Sequence, residues 1–318
     1  MPNKLNFCTL FDSNYLHFGL TLYSSLERHC DNFHLYIFAF DDKCEQFLKS
    51  QNLKNVTIIS LREFEDERLL KIKPTRKKGE YCWTCTPSTI LYVLKNFNVE
   101  NCTYVDSDIF FFNNPRILID EMGDKSVLIT SHNYLPQYDQ SEICGKYCVQ
   151  FMFFKNDKYG LEALEWWREK CLEWCYGIPC DGKFGDQKYL DDWLTRFSQV
   201  HELKNEGGGV APWNVSAYKI KGDKIYKNDG QIFDLIFYHF HGLALLNDSC
   251  VRLAPKKYKI KKDAVKNIYK KYLNAMSKSI EQIGDVSDFI NEVKRKKPSF
   301  FKKIIMKFSI KIKNVILK

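Results

Sequence analysis

Apolar positions follow two different periods along the first third of the chain. Short apolar runs with the length and composition of β-strands cover residues 4–11, 33–40, 56–60 and 102–105. Apolar residues recur at helical spacing over residues 16–26 and again over 87–97. This alternation predicts an α/β fold, in which helices cover both faces of a mostly parallel sheet.

The rest of the chain adds further elements and then changes in character. Strands are predicted over 127–130, 149–154 and 232–240, and helices over 157–176 and 186–197. After Leu246 the sequence becomes rich in lysine and helical in pattern. We therefore expect a main domain over residues 1–245, a Lys-rich helical extension over 246–292 and a basic tail over 293–318.

Charge is distributed unevenly along the 318 residues. The 48 Lys and Arg exceed the 39 Asp and Glu by nine, but ten of the basic residues and none of the acidic ones lie in the tail. The main domain and extension together are close to neutral, so no basic field favours a nucleic-acid partner. A content of 45% hydrophobic and 15% aromatic residues excludes a disordered chain.

The sequence has the pattern of neither a membrane span nor a secretion signal. No segment reaches the roughly 18 consecutive apolar residues of a span, and the first residues lack the basic and apolar regions of a signal peptide. We therefore expect a cytoplasmic protein with twelve reduced cysteines. Three closely spaced pairs leave two interpretations, a structural zinc site or small hydrophobic residues. The pairs are Cys82 with Cys85, Cys144 with Cys148, and Cys171 with Cys175.

Two carboxylates one residue apart, Asp106 and Asp108, interrupt an apolar run. They follow a predicted strand, and ligands of open α/β sheets bind at the carboxyl ends of strands. Strand alternation would direct both carboxylates to one side and Ser107 to the other. Such a pair suits Mg²⁺ or Mn²⁺, which also bind substrate phosphates. A solvated turn after the strand is the alternative interpretation.

Two histidines near the end of the main domain offer a further metal ligand. His239 and His241 lie on the same face of a late predicted strand, just before Gly242. Neutral imidazole is a good ligand for metals such as Mn²⁺. The alternative is that both histidines are satisfied core residues.

The first strand ends in polar residues that could contact a nucleobase or a ribose. Asp12 and Asn14 offer hydrogen-bonding groups, and Tyr15 offers a ring for stacking. An Asx turn that caps the following helix would explain the same residues equally well.

A glycine-rich stretch precedes an aromatic and an amide side chain. Three consecutive glycines from Gly207 allow a close approach of the backbone to a ligand. Trp213 offers an apolar face to a sugar ring, and Asn214 can bond to hydroxyl groups. The alternative is a loop anchored by a buried tryptophan.

Four segments, FDSNYL, YVDSDIFFF, FGDQKYLDDW and HFHG, occur in this order along the chain. Together they resemble the nucleotide-sugar glycosyltransferases of the GT-A fold, most closely the retaining enzymes related to glycosyltransferase family 8. Bacterial transferases of surface polysaccharides (lipopolysaccharide and capsule) with G-D-Q-K-Y-L and A-P-W-N segments are also similar. The resemblance covers about residues 4–245. It implies a GT-A fold, meaning a Rossmann-like sheet flanked by helices, and a nucleotide-sugar donor.

The resemblance also implies a metal site. Asp106 and Asp108 match the D-x-D segment that holds Mn²⁺ or Mg²⁺ against the donor diphosphate, and Ser107 between them is counted with the donor site. His239 matches the metal histidine of the family by its spacing to the following glycine, and His241 is the second candidate. The K-P-W segment that follows this histidine in the family is missing, which leaves the usual lysine contact to the diphosphate without a counterpart.

Further residues correspond to the donor and acceptor sites of the family. Those near the nucleobase are Asp12, Asn14 and Tyr15. Asp186 and Gln187 match a D-Q segment near the reacting sugar and the acceptor. Gln150 stands where the family usually has an asparagine, and it is counted with the donor site.

These observations predict a metal-dependent glycosyltransferase that moves a sugar from a nucleotide-diphosphate donor. Among such donors they favour a UDP-sugar. The acceptor would be a glycan or a lipid-linked molecule in cell-surface polysaccharide synthesis, and the resemblance favours retention of configuration. A binding module without activity and a DxD-type phosphohydrolase are the alternatives. A dinucleotide oxidoreductase is disfavoured because no G-x-G-x-x-G follows a predicted strand.

The tail has the pattern of a basic amphipathic helix. Apolar residues recur at helical spacing from Phe301 onward, at Ile304, Ile305, Phe308, Ile312, Val315 and Ile316. Most lysines fall on the other face, and no acidic residue balances them, which favours binding to anionic lipid on the inner face of the plasma membrane. The alternative is a helix docked on the domain with its lysines in solvent.

Overall fold

The computed structural model describes residues 3–247 and 250–284, which form the α/β fold that the sequence predicts. In chain order its strands are β1 Leu5–Phe11, β2 Phe33–Ala39, β3 Val56–Ser60, β4 Asn101–Val105, β5 Ile109–Phe111, β6 Val127–Ser131, β7 Tyr147–Lys155, β8 Val200–Glu202, β9 Gly208–Val210, β10 Lys219–Lys221, β11 Lys224–Tyr226, β12 Ile232–Asp234, β13 Phe237–His239, β14 Ala244–Asn247 and β15 Cys250–Arg252. The α-helices are α1 Leu16–His29, α2 Asp42–Ser50, α3 Leu61–Phe64, α4 Glu67–Ile72, α5 Lys78–Asn96, α6 Arg116–Asp120, α7 Ser141–Cys144, α8 Lys158–Glu173, α9 Trp193–Arg196, α10 Lys262–Ala264 and α11 Lys270–Ile283.

The described residues build a large sheet with the strand order β3-β2-β1-β4-β7-β6-β8. Strand β7 runs antiparallel to both of its neighbours, and the other neighbouring pairs are parallel. Successive side chains of β1 enter two different cores, since Phe7 packs with α1 residues and Cys8 packs with α5 residues. Burial on both faces explains why β1 and β2 are almost continuously apolar.

Two strand ends and a smaller sheet position the predicted site. Strands β1 and β4 are parallel neighbours, so Asp12 and Asp106, which follow them, lie at the same sheet edge. The chain then passes through Asp108 into β5, which pairs antiparallel with β13. In that pairing Ile109 lies opposite His239, and this brings a residue from far along the chain beside the two aspartates.

Several predicted elements differ from the structure. Helix α5 begins at Lys78, nine residues before the predicted start at Pro87, because Glu80 caps its first turn through the Lys77 N–H. Pro87 therefore lies inside the helix. The segment 186–197 forms a 3₁₀ turn and the short helix α9 instead of one helix, and 232–240 forms two strands in different sheets. Helix α2 was not predicted from the sequence.

The residues after the main domain begin with a hairpin instead of a helix. Strands β14 and β15 pair antiparallel, and helical structure starts only at Lys262, with a π-helical segment Val265–Tyr269 before α11. This part packs against β13 through Tyr269, which hydrogen-bonds Tyr238. The ring of Tyr272 stacks on Phe240, directly after β13, with 3.5 Å between centroids. None of the helices in the described residues combines the length and apolar content that a bilayer crossing requires. Residues 285–318, which include the predicted tail, lie outside the described ranges.

Candidate active site

Asp106, Asp108 and His239 form a group of possible metal ligands at the carboxyl ends of the strands of the large sheet. One ligand atom from each residue lies within 4.8 Å of the other two. Nε2 of His239 is 3.2 Å from Oδ1 of Asp108 and 3.8 Å from Oδ2 of Asp106. Donor atoms that share one cation at about 2 Å lie about 3 Å apart. Two carboxylates and one imidazole at these separations fit Mn²⁺ or Mg²⁺.

Gln150 supports His239 from the interior of the protein. It is fully buried on β7, and its Oε1 accepts a hydrogen bond from Nδ1 of His239 at 2.9 Å. This bond selects the tautomer whose Nε2 faces the aspartates, as is usual for metal-binding histidines. Gly209, at φ +108°, leaves room for the amide, since a Cβ there would lie 3.1 Å from Nε2 of Gln150. The predicted direct contact of Gln150 with the donor is not supported, because the residue does not line the adjacent cavity.

The electrostatics of the metal-free cluster favour a protonated imidazole. Burial raises the pKa of Asp106 to about 6; His239 opposes this rise and Asp108 adds to it. Burial would also raise the pKa of Asp108, but His239 holds it below its usual value. For His239 burial alone would lower the pKa, yet Asp108 and Asp106 raise it well above its usual range. The site thus favours a positive charge between its carboxylates, which a bound cation would supply.

His241 lies near this cluster without joining it. Strand β13 ends at His239, so the two histidines do not share a strand face as predicted. The ring of His241 lies 5.7 Å from that of His239 and 5.5 Å from Trp213, centroid to centroid. Both His241 and Ser107 line the adjacent cavity. The geometry therefore favours His239 as the metal histidine.

The end of β1 supplies Asp12, Asn14 and Tyr15 to the same cavity. Oδ1 of Asp12 accepts a hydrogen bond from the Asn14 N–H at 2.9 Å, so the Asx turn expected as an alternative is present. Asp12 also forms an ion pair with Lys78 of α5. The Tyr15 side chain remains 48% exposed, and burial of its hydroxyl, with help from Asp108, raises its pKa to about 12. Its ring is available for stacking.

Asp186 and Gln187 line the cavity beside the cluster. Burial raises the pKa of Asp186 to about 8, and the charge of Asp106 adds to this rise. The Thr86 hydroxyl of α5, by contrast, lowers the pKa of this carboxyl group and so partly offsets the rise. Gln187 donates from Nε2 to the Cys144 carbonyl at 2.6 Å, which ties this loop to α7. At neutral pH the metal-free protein therefore presents Asp186 mainly as a carboxylic acid.

Asn214 does not reach the cavity, although the sequence predicts a sugar contact. Its Nδ2 donates to the carbonyls of His132 and Gly209, and its Oδ1 accepts from the Ala211 N–H, all at 2.9 Å. The Asn214 amide therefore uses its hydrogen-bonding groups to hold a buried loop in place. Trp213 does line the cavity, while its Nε1 donates to the His132 carbonyl at 2.7 Å.

The predicted role of the three glycines is also different. A Cβ on Gly207 would lie 1.9 Å from the Asp234 carbonyl oxygen, and one on Gly208 would lie 2.7 Å from Leu203. Close packing against protein atoms, and not against a ligand, therefore explains why this stretch contains glycine.

The cavity has a volume of about 700 Å³ and brings together residues from both halves of the chain. Sequence reasoning missed a group of its lining residues: Lys78, Cys82, Trp83, Thr86, Tyr104, His132, Tyr134, Gln140, Phe184, Lys257 and Tyr258. Four of them share one face of α5, at a spacing of three and four residues. That spacing is visible in the sequence, but the predicted helix began too late to show it.

The closely spaced cysteines form no metal site in the described part of the chain. Asp106, Asp108 and His239 are the one group of three or more His, Cys, Asp or Glu residues found there with ligand atoms close enough for an ion. Cys171 and Cys175 are buried free thiols in the core beneath α8. The interpretation as small hydrophobic residues therefore applies to them.

Two curated proteins of Bacillus subtilis (strain 168) are similar to the chain over most of its length. The uncharacterized protein YfnD is 33% identical over 294 residues, which are 88% of this chain and 91% of YfnD. The uncharacterized protein YfnF is 34% identical over 251 residues, which are 76% of this chain and 82% of YfnF. The chain belongs to the family of YfnD and YfnF. No protein-family model matches it.

Comparison with solved structures shows which fold the chain has. The galactosyltransferase LgtC, in complex with donor and acceptor sugar analogues, superposes with a TM-score of 0.52 at 10% identity over 86% of this chain and 96% of LgtC. The glycosyltransferase GlyE of Streptococcus pneumoniae TIGR4 gives 0.50 at 12% identity over 95% of this chain and 64% of GlyE. The bifunctional glycosyltransferase WbbM gives 0.50 at 12% identity over 93% of this chain and 52% of WbbM. The chain therefore has the GT-A fold seen in these glycosyltransferases, which confirms the predicted fold.

Proposed function

We propose that this protein is a metal-dependent glycosyltransferase that moves a sugar from a nucleotide-diphosphate donor to a glycan or lipid-linked acceptor. A hexose is the first sugar to test. UDP-sugars are the first donors to test. The observation that supports this proposal is the placement of Asp106, Asp108 and His239 in the wall of a 700 Å³ cavity at the carboxyl ends of β1 and β4. In an open α/β sheet this is where ligands bind.

The charge of the cavity suits a nucleoside diphosphate. Lys78 and Lys257 lie far apart in the sequence, and both line the cavity. Lys78 is already paired with Asp12. Nζ of Lys257 donates to the neutral amide oxygen of Gln140 at 3.0 Å, which leaves its charge available to an anion. Lys257 would thus serve the diphosphate although the chain lacks the K-P-W segment of the similar transferases. Tyr15 and the polar groups beside it would receive the base.

The reaction would break the bond between the anomeric carbon and the donor phosphate oxygen, and the electron pair would leave with the diphosphate. A divalent cation, when bound, stabilises the negative charge of that leaving group as a Lewis acid. The acceptor hydroxyl forms the new bond to the anomeric carbon and gives its proton to the departing phosphate. Burial raises the pKa of Asp186, which lines the same cavity, so this residue can donate a hydrogen bond in this step and is a weaker candidate for the base than the departing phosphate. The proposal therefore includes retention of configuration.

Thermal stabilisation tests the nucleotide and metal parts of this proposal. The melting temperature of the protein would be measured with UDP-, GDP- and dTDP-sugars, each with and without Mn²⁺. We expect one nucleotide class to raise it by roughly 5 °C when Mn²⁺ is present, as saturation near 100 times the dissociation constant predicts. Asp108→Ala should abolish the rise.

Asp234→Ala is the matched control, because Asp234 is an exposed strand aspartate outside the cavity that pairs with Lys224. It should respond to the nucleotide as the unmodified protein does. Stabilisation without transfer of sugar to any acceptor would support the binding module instead. No metal-dependent stabilisation by any nucleotide sugar would reject the proposal.

A further inference from the structure

We infer that Trp83 is the platform on which a pyranose ring of the acceptor binds. This inference rests on the proposed function and extends it by locating the acceptor. Trp83 lines the same cavity as Asp186, yet its side chain remains 39% exposed. A large exposed indole inside a cavity is unusual, because tryptophan is highly buried on average.

The surroundings of Trp83 leave part of its ring uncovered. Gly177 and Gly185 border the indole, and a Cβ on either would lie 3.4 to 3.6 Å from its ring atoms. Phe184 approaches at 6.4 Å between centroids with a tilt of 41°, and so widens the apolar surface beside the indole. Since Gly185 has a φ of +53°, this position favours glycine over any residue whose side chain could cover the ring.

The platform is held in place before a ligand arrives. The Gly177 N–H donates to Oε1 of Glu80, one turn before Trp83 on α5, at 3.0 Å. The Gly185 N–H donates to the Tyr176 carbonyl, also at 3.0 Å. A ligand that stacks on the indole therefore does not have to order this loop first.

Trp83 also shares its cavity with Asp186 and the metal cluster, the residues of the proposed chemistry. Thr86, three residues further along the same face of α5, lines this cavity together with Asp186, and Asp186 follows Phe184 by two residues. A ring stacked on Trp83 would thus lie in the same cavity as Asp186 and the metal cluster.

The chemistry of Trp83 fits a sugar better than a nucleobase. The C–H bonds on one face of a pyranose carry partial positive charge, which the negative face of an indole attracts. Tyr15, the other exposed aromatic ring of the cavity, is accompanied by Asp12 and Asn14, whose polar groups can recognise a base edge. Trp83 is flanked by glycines and Phe184 instead, which suits the apolar face of a sugar.

The test uses methyl β-D-glucopyranoside and methyl β-D-galactopyranoside as probes. Their binding to the full-length protein would be measured by saturation-transfer NMR with Mg²⁺, with and without UDP. We expect Trp83→Ala to weaken glycoside binding at least about tenfold and Trp83→Phe to keep most of it, while Mg²⁺–UDP binding stays unchanged. Tyr159→Ala, which removes an exposed aromatic side chain outside the cavity, should leave glycoside binding intact.

Three results would overturn the inference. These are glycoside binding by Trp83→Ala at the unmodified affinity, absence of glycoside binding in a protein that still binds Mg²⁺–UDP, and a loss of uracil contacts in Trp83→Ala. The last result would assign Trp83 to the nucleobase. Failure of the unmodified protein to bind any of UDP, GDP and dTDP in the presence of Mg²⁺ or Mn²⁺, by contrast, would reject the proposed function, whereas glycoside binding that depends on Trp83 would still support the platform.

Discussion

Asp186 shows how burial changes the chemistry of a single residue. In the sequence it is one more carboxylate, which the resemblance places near the reacting sugar and the acceptor. In the fold its burial and the nearby Asp106 raise its pKa to about 8, so it keeps a proton that an exposed aspartate would lose. Its neighbours, and not its residue type, therefore decide whether it donates or accepts a proton near neutral pH.

The pKa of Asp186 predicts how stability depends on pH. Its pKa in the folded protein exceeds that in the unfolded chain, so the folded state binds more protons between about pH 4 and pH 8, and stability falls as pH rises through this range. Asp186→Asn removes this loss. We expect the variant to melt at least about 2 °C above the unmodified protein at pH 8, and the difference to shrink toward pH 4. Calorimetry without metal would measure it, and an advantage independent of pH would contradict the assignment.

Lys257 allows a second prediction about a single residue. If it holds the diphosphate, Lys257→Gln should weaken binding of UDP about tenfold and leave binding of uridine unchanged, since a charged hydrogen bond to phosphate is lost. Isothermal titration calorimetry with Mg²⁺ would compare the two ligands. Lys259→Gln is the matched control, because Lys259 is exposed and does not line the cavity. Equal loss for UDP and uridine would exclude a phosphate contact.

At the scale of elements, the positions of the metal-cluster residues depend on strand pairing more than on the loop between β4 and β5 that carries Asp106 and Asp108. Strand β13 holds His239 opposite Ile109, and β7 places Gln150 behind the imidazole. The packing of β13 is in turn completed by the C-terminal helices. The hydroxyls of Tyr238 and Tyr269 hydrogen-bond at 2.8 Å, and Tyr272 stacks on Phe240.

Two neighbouring tyrosines of this interface should respond differently to loss of the hydroxyl. Tyr269→Phe leaves the buried Tyr238 hydroxyl without its bond and should lower the free energy of unfolding by about 1–2 kcal/mol. No described group lies within hydrogen-bond distance of the buried Tyr272 hydroxyl. Tyr272→Phe should therefore be neutral or stabilising by up to about 1 kcal/mol. Urea unfolding would compare them, and equal destabilisation would show that the two hydroxyls are equivalent.

At the scale of the whole molecule, the cavity and the C-terminal extension cannot be separated as the sequence divides them. Lys257 and Tyr258 follow the β14–β15 hairpin and line the same cavity as Asp12 at the start of the chain. Residues of α10 and α11 share a core with β5 and β13. A truncation at residue 245 would therefore remove both a wall of the cavity and part of this core.

The basic tail carries a prediction that rests on sequence alone, because 293–318 lie outside the described residues. Deletion of 299–318 should release the protein from vesicles that contain anionic lipid and leave metal-dependent nucleotide binding unchanged. Sedimentation with neutral vesicles gives the control. Unchanged sedimentation of the truncated protein with anionic vesicles would reject peripheral membrane association.

The sequence by itself determined the elements whose signal is local. The apolar strands β1 to β4 and the fold class were predictable because burial on both sheet faces leaves a continuous apolar pattern. The helix after Asp157 was predictable because Asp157 caps it and its apolar residues recur at helical spacing. Asp106, Asp108 and His239 were identifiable because polar residues that interrupt buried strands are costly without a ligand or a partner.

Only the tertiary structure decided which of these residues meet and what each one contacts. It separated His239 from His241, moved Gln150 from the donor site to the support of an imidazole, and buried Asn214 in a loop. It also brought Trp83 and Lys257 to one cavity from distant parts of the chain. Strand register, side-chain burial and the resulting pKa values arise from contacts between residues far apart in the chain, and no local pattern records them.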